Sequence, residues 1–377
     1  MRSLQNLLND FSEKLQIETV TASAFSQARK KFRHTAFIEL LTKGLEVFYS
    51  FDYETYQGHR LISIDGSILR LPNEEELIEE FGCVTDKNRY HSTKHVEVKC
   101  SIAYDLLNKV PIHGFLARAR SNDCALSSEH LSFLKPKDLV IADRAYASYR
   151  LFHLIKQTGS DFIIRCPRRR FKDGAGMFVK QKQKSKIVEI LLHDKLLKDE
   201  TLPASMNLRF IQVILPTGEI EVLITSLLDK DVYKTNSFKK LYNLRWGIET
   251  YYHLLKSRLA LEHFSGKSLE SVKQDFHATL FLSALETVVT AESNLELSKK
   301  ETKYKQKVNK SISFNIIKEK AFEILCEPEI PYEKRNEKLT KLFTQNPTLI
   351  RENRKTPRHK RNWASFDYHR NRKKHLY

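Results

Sequence analysis

The chain has 377 residues, 41% hydrophobic and 10% aromatic, enough for a packed core of two domains or one elaborated one, which excludes a disordered protein. Lys and Arg number 64 against 46 Asp and Glu, a net +18, so the expected partner is a polyanion, with nucleic acid ahead of an acidic membrane surface. No apolar run reaches the roughly 18 residues of a membrane helix, and Cys83, Cys100, Cys124, Cys166 and Cys326 are too scattered for metal knuckles or a disulfide framework.

In chain order, residues 1–58 read as helical. Leu4, Leu7, Leu8 and Phe11 recur at helical spacing, Thr21 or Ser23 caps a basic helix through FSQARKKF, and Phe37, Leu40 and Leu41 lead a third. From His59 the period changes to two. RLISIDGSILRLP reads as a strand, HVEVKCSIAYDLL and KVPIHGFLARAR as two more joined by a tight turn near Asn108. DLVIADRAYAS reads as a buried strand ending in an acid, then a helix through Leu151 and Ile155, then the strand DFIIRCP. A basic loop follows, with KIVEILL, LRFIQVIL and EIEVLITSLL as strands of a β-rich insert. Residues 237–259 return to one long amphipathic helix, and the remainder is helical and basic. The pattern is mixed α/β with something inserted. With no leader peptide in MRSLQNLLNDFSEKLQ, a cytoplasmic protein is expected.

The charge is concentrated. Residues 165–186 hold nine bases and one acid, and residues 351–377 hold ten bases and two acids. Each segment is therefore net +8, and the rest of the chain is close to neutral. The tail interleaves Trp363, Phe366 and Tyr368 among its bases, which suits stacking as well as phosphate contact.

Three acids stand out. Asp65 in ISIDGS and Asp143 in VIADRAY each follow an apolar run, where an acid is costly unless exposed, paired or holding a cation. A strand-end turn or a helix N-cap accounts for either one equally well. The third is Glu249, in YNLRWGIETYYHLLKSRL. On a continuous helix Arg245, Glu249 and Lys256 fall within about 60° of Tyr242, beside a separate apolar stripe. Two strand-end aspartates and a helix glutamate form a ligand set for two Mg²⁺ ions acting on a phosphodiester. Arg245, Lys256 and Tyr242 would then hold the scissile strand.

Asp65 in IDGS, Asp143 in ADRAY, and Tyr242-x2-Arg245-x3-Glu249-x6-Lys256 together resemble the bacterial insertion-sequence transposases with an Asp-Asp-Glu triad, in the subgroup with a Tyr-Arg-Glu-Lys signature. The one departure is Ala145, where the family usually has glycine. The resemblance spans about residues 60–259 and implies an α/β fold: a ribonuclease-H-like catalytic core with a β-rich insertion, flanked by helical N- and C-terminal regions. The corresponding domains are 1–58, helical and possibly DNA-binding; 59–166 with 231–290, the core; 167–230, the basic insertion; and 291–377, helical with a basic tail. It further implies Asp65, Asp143 and Glu249 as catalytic and metal residues, with two Mg²⁺ ions per site and Mn²⁺ as a substitute. Arg168, Arg169, Arg170 and Lys172 would track DNA beside the scissile phosphate. The implied partners are double-stranded transposon ends and target DNA, bridged by a homodimer, with no membrane. The implied reaction is hydrolysis at the ends, then attack of the freed 3′-OH on target DNA. The alternatives are a ribonuclease-H-like nuclease that cuts without joining, and a domesticated DNA-binding protein without chemistry.

Overall fold

The alternating segment after His59 forms β1 (Leu61–Leu71), which buries Leu61, Ile62, Ile64, Leu69 and Leu71 and leaves Ile68 exposed. The computed structural model describes residues 3–87, 92–167, 171, 183–193, 201–215, 218–326 and 331–351. The chain divides into two units: residues 38–280, and residues 1–37 together with 281–377.

In the larger unit the strands that follow are β2 (Val84–Lys87), β3 (Ser92–Asp105), β4 (Val110–Arg118), β5 (Leu139–Ala142) and β6 (Asp161–Cys166). Beyond the basic loop come β7 (Ser185–Leu191), β8 (Ser205–Ile214) and β9 (Ile220–Thr225). Among the described residues these make one nine-stranded sheet, ordered β2-β3-β1-β5-β6-β9-β8-β7, with β4 also paired to β3. β1-β3 and β3-β4 are antiparallel, while β1-β5 and β5-β6 are parallel. β9, β8 and β7 extend this sheet rather than forming one of their own. β9 pairs antiparallel with β6, so the edge that β6 would expose is covered.

The turn between β3 and β4 is set by Asp105, whose buried carboxylate accepts from the Leu107 and Asn108 N–H groups. After β5, helix α6 (Tyr149–Gln157) buries Tyr149, Leu151, Phe152 and Ile155 on the sheet, and the Phe152 ring stacks on Phe162 of β6 at 4.6 Å. The four helices before it in the chain are α1 (Leu4–Leu15), α2 (Ala22–Lys31), α3 (Thr35–Phe48) and α4 (Glu75–Phe81), with the single turn α5 (Asp123–Leu126) after them. Thr21, not Ser23, caps α2, its hydroxyl accepting from the Ala24 N–H at 3.1 Å.

A polar pair joins β4 to the turn Ser127–Phe133. His113 Nδ1 and His130 Nδ1 are 2.9 Å apart, and His130 Nε2 lies 2.9 Å from Ser101 Oγ. Burial pushes the imidazoles down, to about 4 for His113 and about 3 for His130. Both stay neutral in the fold, whereas the unfolded chain protonates them near the ordinary value of 6.5. Their contribution to stability is therefore complete above pH 6.5 and falls as the pH drops toward 4. Urea midpoints measured across this window should fall less steeply in His130→Asn than in the wild type.

After α9 (Leu269–Val289), the smaller unit's α10 (Ala291–Lys299), α11 (Lys310–Cys326) and α12 (Tyr332–Thr344) bury Leu297, Ile317, Leu339 and Phe343 with Val308. A two-stranded ribbon of β10 (Lys305–Lys307) and β11 (Thr348–Ile350) closes it. The carboxylate of Glu286, fully buried, is met by Lys310 and by the Ser313 hydroxyl.

Candidate active site

Strand register brings the first two acids together. Ser63 of β1 pairs in parallel with Ile141 of β5, so two residues further on Asp65 and Asp143 are neighbours on the same face. Asp65 is not at a strand end as the sequence suggests. β1 runs on to Leu71 against β3, but its pairing with β5 stops at Ser63, so the sheet opens on one side at Asp65. Asp143 follows the last residue of β5 and opens a single turn, Arg144–Tyr146, which contains Ala145.

The third acid arrives on an interrupted helix. Instead of one helix over residues 237–259 there are α7 (Ser237–Asn243), α8 (Trp246–His253) and a wider π turn, Leu254–Arg258. At the junction the backbone tightens, with Arg245 N–H donating to the Tyr242 carbonyl and Gly247 N–H to that of Leu244. Uniform 100° stepping therefore fails across Leu244, which is 37% exposed although the helical pattern places it in the buried stripe. Tyr242 and Arg245 are 6% and 7% exposed, so they line the interior wall of the site and do not stand on an open face.

Two contacts dock α8 and the π turn on β1. The buried Tyr252 hydroxyl sits between the carbonyl oxygens of Asp65 at 2.7 Å and Cys100 at 3.0 Å, which share its one proton. Lys256 Nζ donates to the Ile68 carbonyl at 2.6 Å. Sequence reasoning does not single out Tyr252, because the carbonyls it meets on β1 and β3 are brought to it only by the fold. Tyr252→Phe removes the one donor that these two carbonyls share, and should lower the unfolding free energy by about 1–3 kcal/mol in urea titration.

Within this frame the charges interlock. Arg245 Nη2 donates to Glu249 Oε1 at 2.8 Å, and Arg165 Nε lies 3.3 Å from Asp143 Oδ1. Burial raises the Asp65 carboxyl to about 6; the Gly66 N–H and Arg245 pull it down, while Glu249 and Asp143 push it up. That both other acids act on Asp65 places the three in one electrostatic neighbourhood. Yet among the described residues no three carboxylate, histidine or cysteine groups stand close enough to share an ion. Two of the acids face arginines instead. Asp143 Oδ1 is buried without a hydrogen bond, as are the Tyr242 hydroxyl and Arg245 Nε. Arg168, Arg169, Arg170 and Lys172 lie outside the described residues, as does the basic tail beyond Arg351.

Residues 56–285 match the transposase DDE domain family, which covers more than half of the chain. The chain belongs to the DDE transposase family. All three acids, Arg165 and the Tyr242–Lys256 segment fall within the matched residues. Among solved structures it is similar to a piggyBac transposase synaptic complex with hairpin DNA, at 9% identity and a TM-score of 0.43, over 75% of this chain. It spans 57% of that protein's length. No curated protein matches it. For this family member no described helix is long and apolar enough to cross a membrane.

Proposed function

We propose that this DDE transposase is that of a bacterial insertion sequence of the Tyr-Arg-Glu-Lys subgroup, hydrolysing phosphodiester bonds at transposon ends and joining the freed 3′-OH to target DNA. The observation that supports the reading is that Asp65 and Asp143 are neighbours across two parallel strands, with Glu249 near enough for its charge to act on Asp65. The strand order β4-β3-β1-β5-β6, antiparallel for its first three members and parallel for the rest, supports a ribonuclease-H-like core.

The three acids offer the donor type that Mg²⁺, a hard cation, takes, although Asp143 and Glu249 face arginines in this structure. Asp143 Oδ1 is a buried acceptor with no donor, and Asp65 carries a charge that its own surroundings disfavour. Asp65, Asp143 and Glu249 would hold two such ions, which activate the attacking oxygen and stabilise the leaving one when bound. Mn²⁺ would substitute. Arg245, once drawn from Glu249, would grip a phosphate of the cut strand; Tyr242 would offer its free hydroxyl to the same group. Lys256 fixes β1 through Ile68 and would add positive potential along the DNA path. Arg168, Arg169, Arg170 and Lys172 would follow the flanking duplex, and the tail would add phosphate contacts. Two copies would bridge a pair of ends in the bacterial cytoplasm.

The test is incubation of the purified protein and Mg²⁺ with DNA carrying the sequences that flank the gene. Release of 3′-OH ends followed by joined products is expected. Cleavage without joining would favour a plain nuclease, and binding without cleavage a non-catalytic DNA-binding protein.

A further inference from the structure

Arg165 belongs to no motif, yet the sheet delivers it to the site. β5 and β6 pair in parallel with Ala142 opposite Ile164, so the next residues, Asp143 and Arg165, are side by side where the strands end. On its other side Arg165 Nη1 donates to Glu221 Oε1 of β9 at 2.5 Å. Its two contacts differ in kind. The Glu221 contact is a charge-assisted hydrogen bond, whereas the Asp143 contact, at 3.3 Å, leaves Oδ1 with no hydrogen bond at all. The guanidinium is thus anchored at Glu221 and only poised beside Asp143. Tyr242 and Arg245 border the same place, since Tyr242 feels Arg245, Asp143, Arg165 and Glu221 together. The Tyr242 hydroxyl and Arg245 Nε have no partners, so unused donors collect next to a guanidinium whose planar fork suits a phosphate.

We propose that Arg165 is an exchangeable counter-ion of the site: without DNA it takes the cation's place beside Asp143, and with DNA it turns to a backbone phosphate beside Tyr242 and Arg245. DNA arrival and metal loading are then coupled. By linkage, each raises the affinity for the other by the same factor. This rests on the reading of Asp143 as a cation ligand.

The experiment measures Mn²⁺ binding to the full-length protein by electron paramagnetic resonance of the free ion, with and without a duplex. Wild type should bind Mn²⁺ more tightly when DNA is present. Without DNA, Arg165→Ala should bind Mn²⁺ about fivefold more tightly than wild type, the worth of a partly exposed ion pair. Adding DNA should then raise its affinity less than it raises that of wild type. Arg165→Gln, which keeps a donor for Glu221 but no charge, should behave alike, and Arg165→Lys should return toward wild type. Asp143→Asn is the control and should bind Mn²⁺ poorly. Wild-type Mn²⁺ affinity in both neutral variants, with Asp143→Asn impaired, overturns the role of Arg165 alone. Unchanged binding in Asp143→Asn overturns the metal reading itself, and the inference with it.

Discussion

Asp65→Asn, Asp143→Asn and Glu249→Gln should each reduce DNA-end cleavage by about 10³-fold or more, while duplex affinity stays within a few fold. A Lewis-acid ion contributes several kcal/mol to such a step, and each 1.36 kcal/mol is a decade in rate. An amide keeps the size of the side chain but binds Mg²⁺ far less well. The same substitution at position 65 should make the metal-free protein more stable. The unfolded chain ionises this carboxyl near 3.8, the native protein only near 6. Stability is therefore lost as the pH rises from 3.8 to 6, and at neutral pH the native charge is a standing penalty. Asn removes it. Inactivation accompanied by a higher melting temperature in EDTA would mark Asp65 as a residue kept for chemistry at a cost in stability. Inactivation through unfolding would show the reverse shift.

The second large effect lies beneath the site. Arg60, just before β1, and Asp138, just before β5, form a paired fork, Nε to Oδ1 at 2.7 Å and Nη2 to Oδ2 at 2.6 Å. Their side chains are 4% and 2% exposed. Arg60 also lies over the Tyr49 ring at 4.6 Å, and the Tyr49 hydroxyl donates to Asp105 at 2.8 Å. The pair clamps together the starts of the two strands that carry Asp65 and Asp143. Arg60→Met or Asp138→Leu alone strands one buried charge and should lower the unfolding free energy by about 3–5 kcal/mol. The double variant should recover most of the loss, because a buried ion pair and a well-packed apolar pair of similar volume are often near equal. Urea unfolding of the three proteins separates these outcomes.

Much of the fold is legible in the sequence because its strands alternate cleanly or are wholly apolar. β1, β3, β4, β5 and β6 and all three strands of the insertion fall on the segments that the pattern selects. The site is legible to a lesser degree. Asp65 and Asp143 are visible as acids in apolar surroundings, but that they are neighbours depends on the register of β1 against β5, which no local pattern encodes. Arg165 and Glu221 are hidden for the same reason: strand pairing alone brings Arg165 to Asp143 and Glu221 to Arg165. The break at Leu244 and Arg245 is hidden too. Nothing in YNLRWGIE forbids a continuous helix; the tightened turns appear where Tyr242 and Arg245 are buried against the site. Helical spacing therefore puts Tyr242 and Arg245 on a face apart from the buried stripe, whereas both are buried.

The central claim is that Asp65, Asp143 and Glu249 act on DNA as ligands of a divalent cation. The most direct measurement compares end cleavage by Asp65→Cys and Asp143→Cys in Mg²⁺ and in Mn²⁺. A thiolate is a poor ligand for hard Mg²⁺ and a better one for softer metals. Both variants should be inactive in Mg²⁺ and regain cleavage in Mn²⁺, whereas the matching Ala variants should stay inactive in either metal. Equal activity of a Cys variant in the two metals, or full activity in Mg²⁺, would contradict direct ligation by that residue.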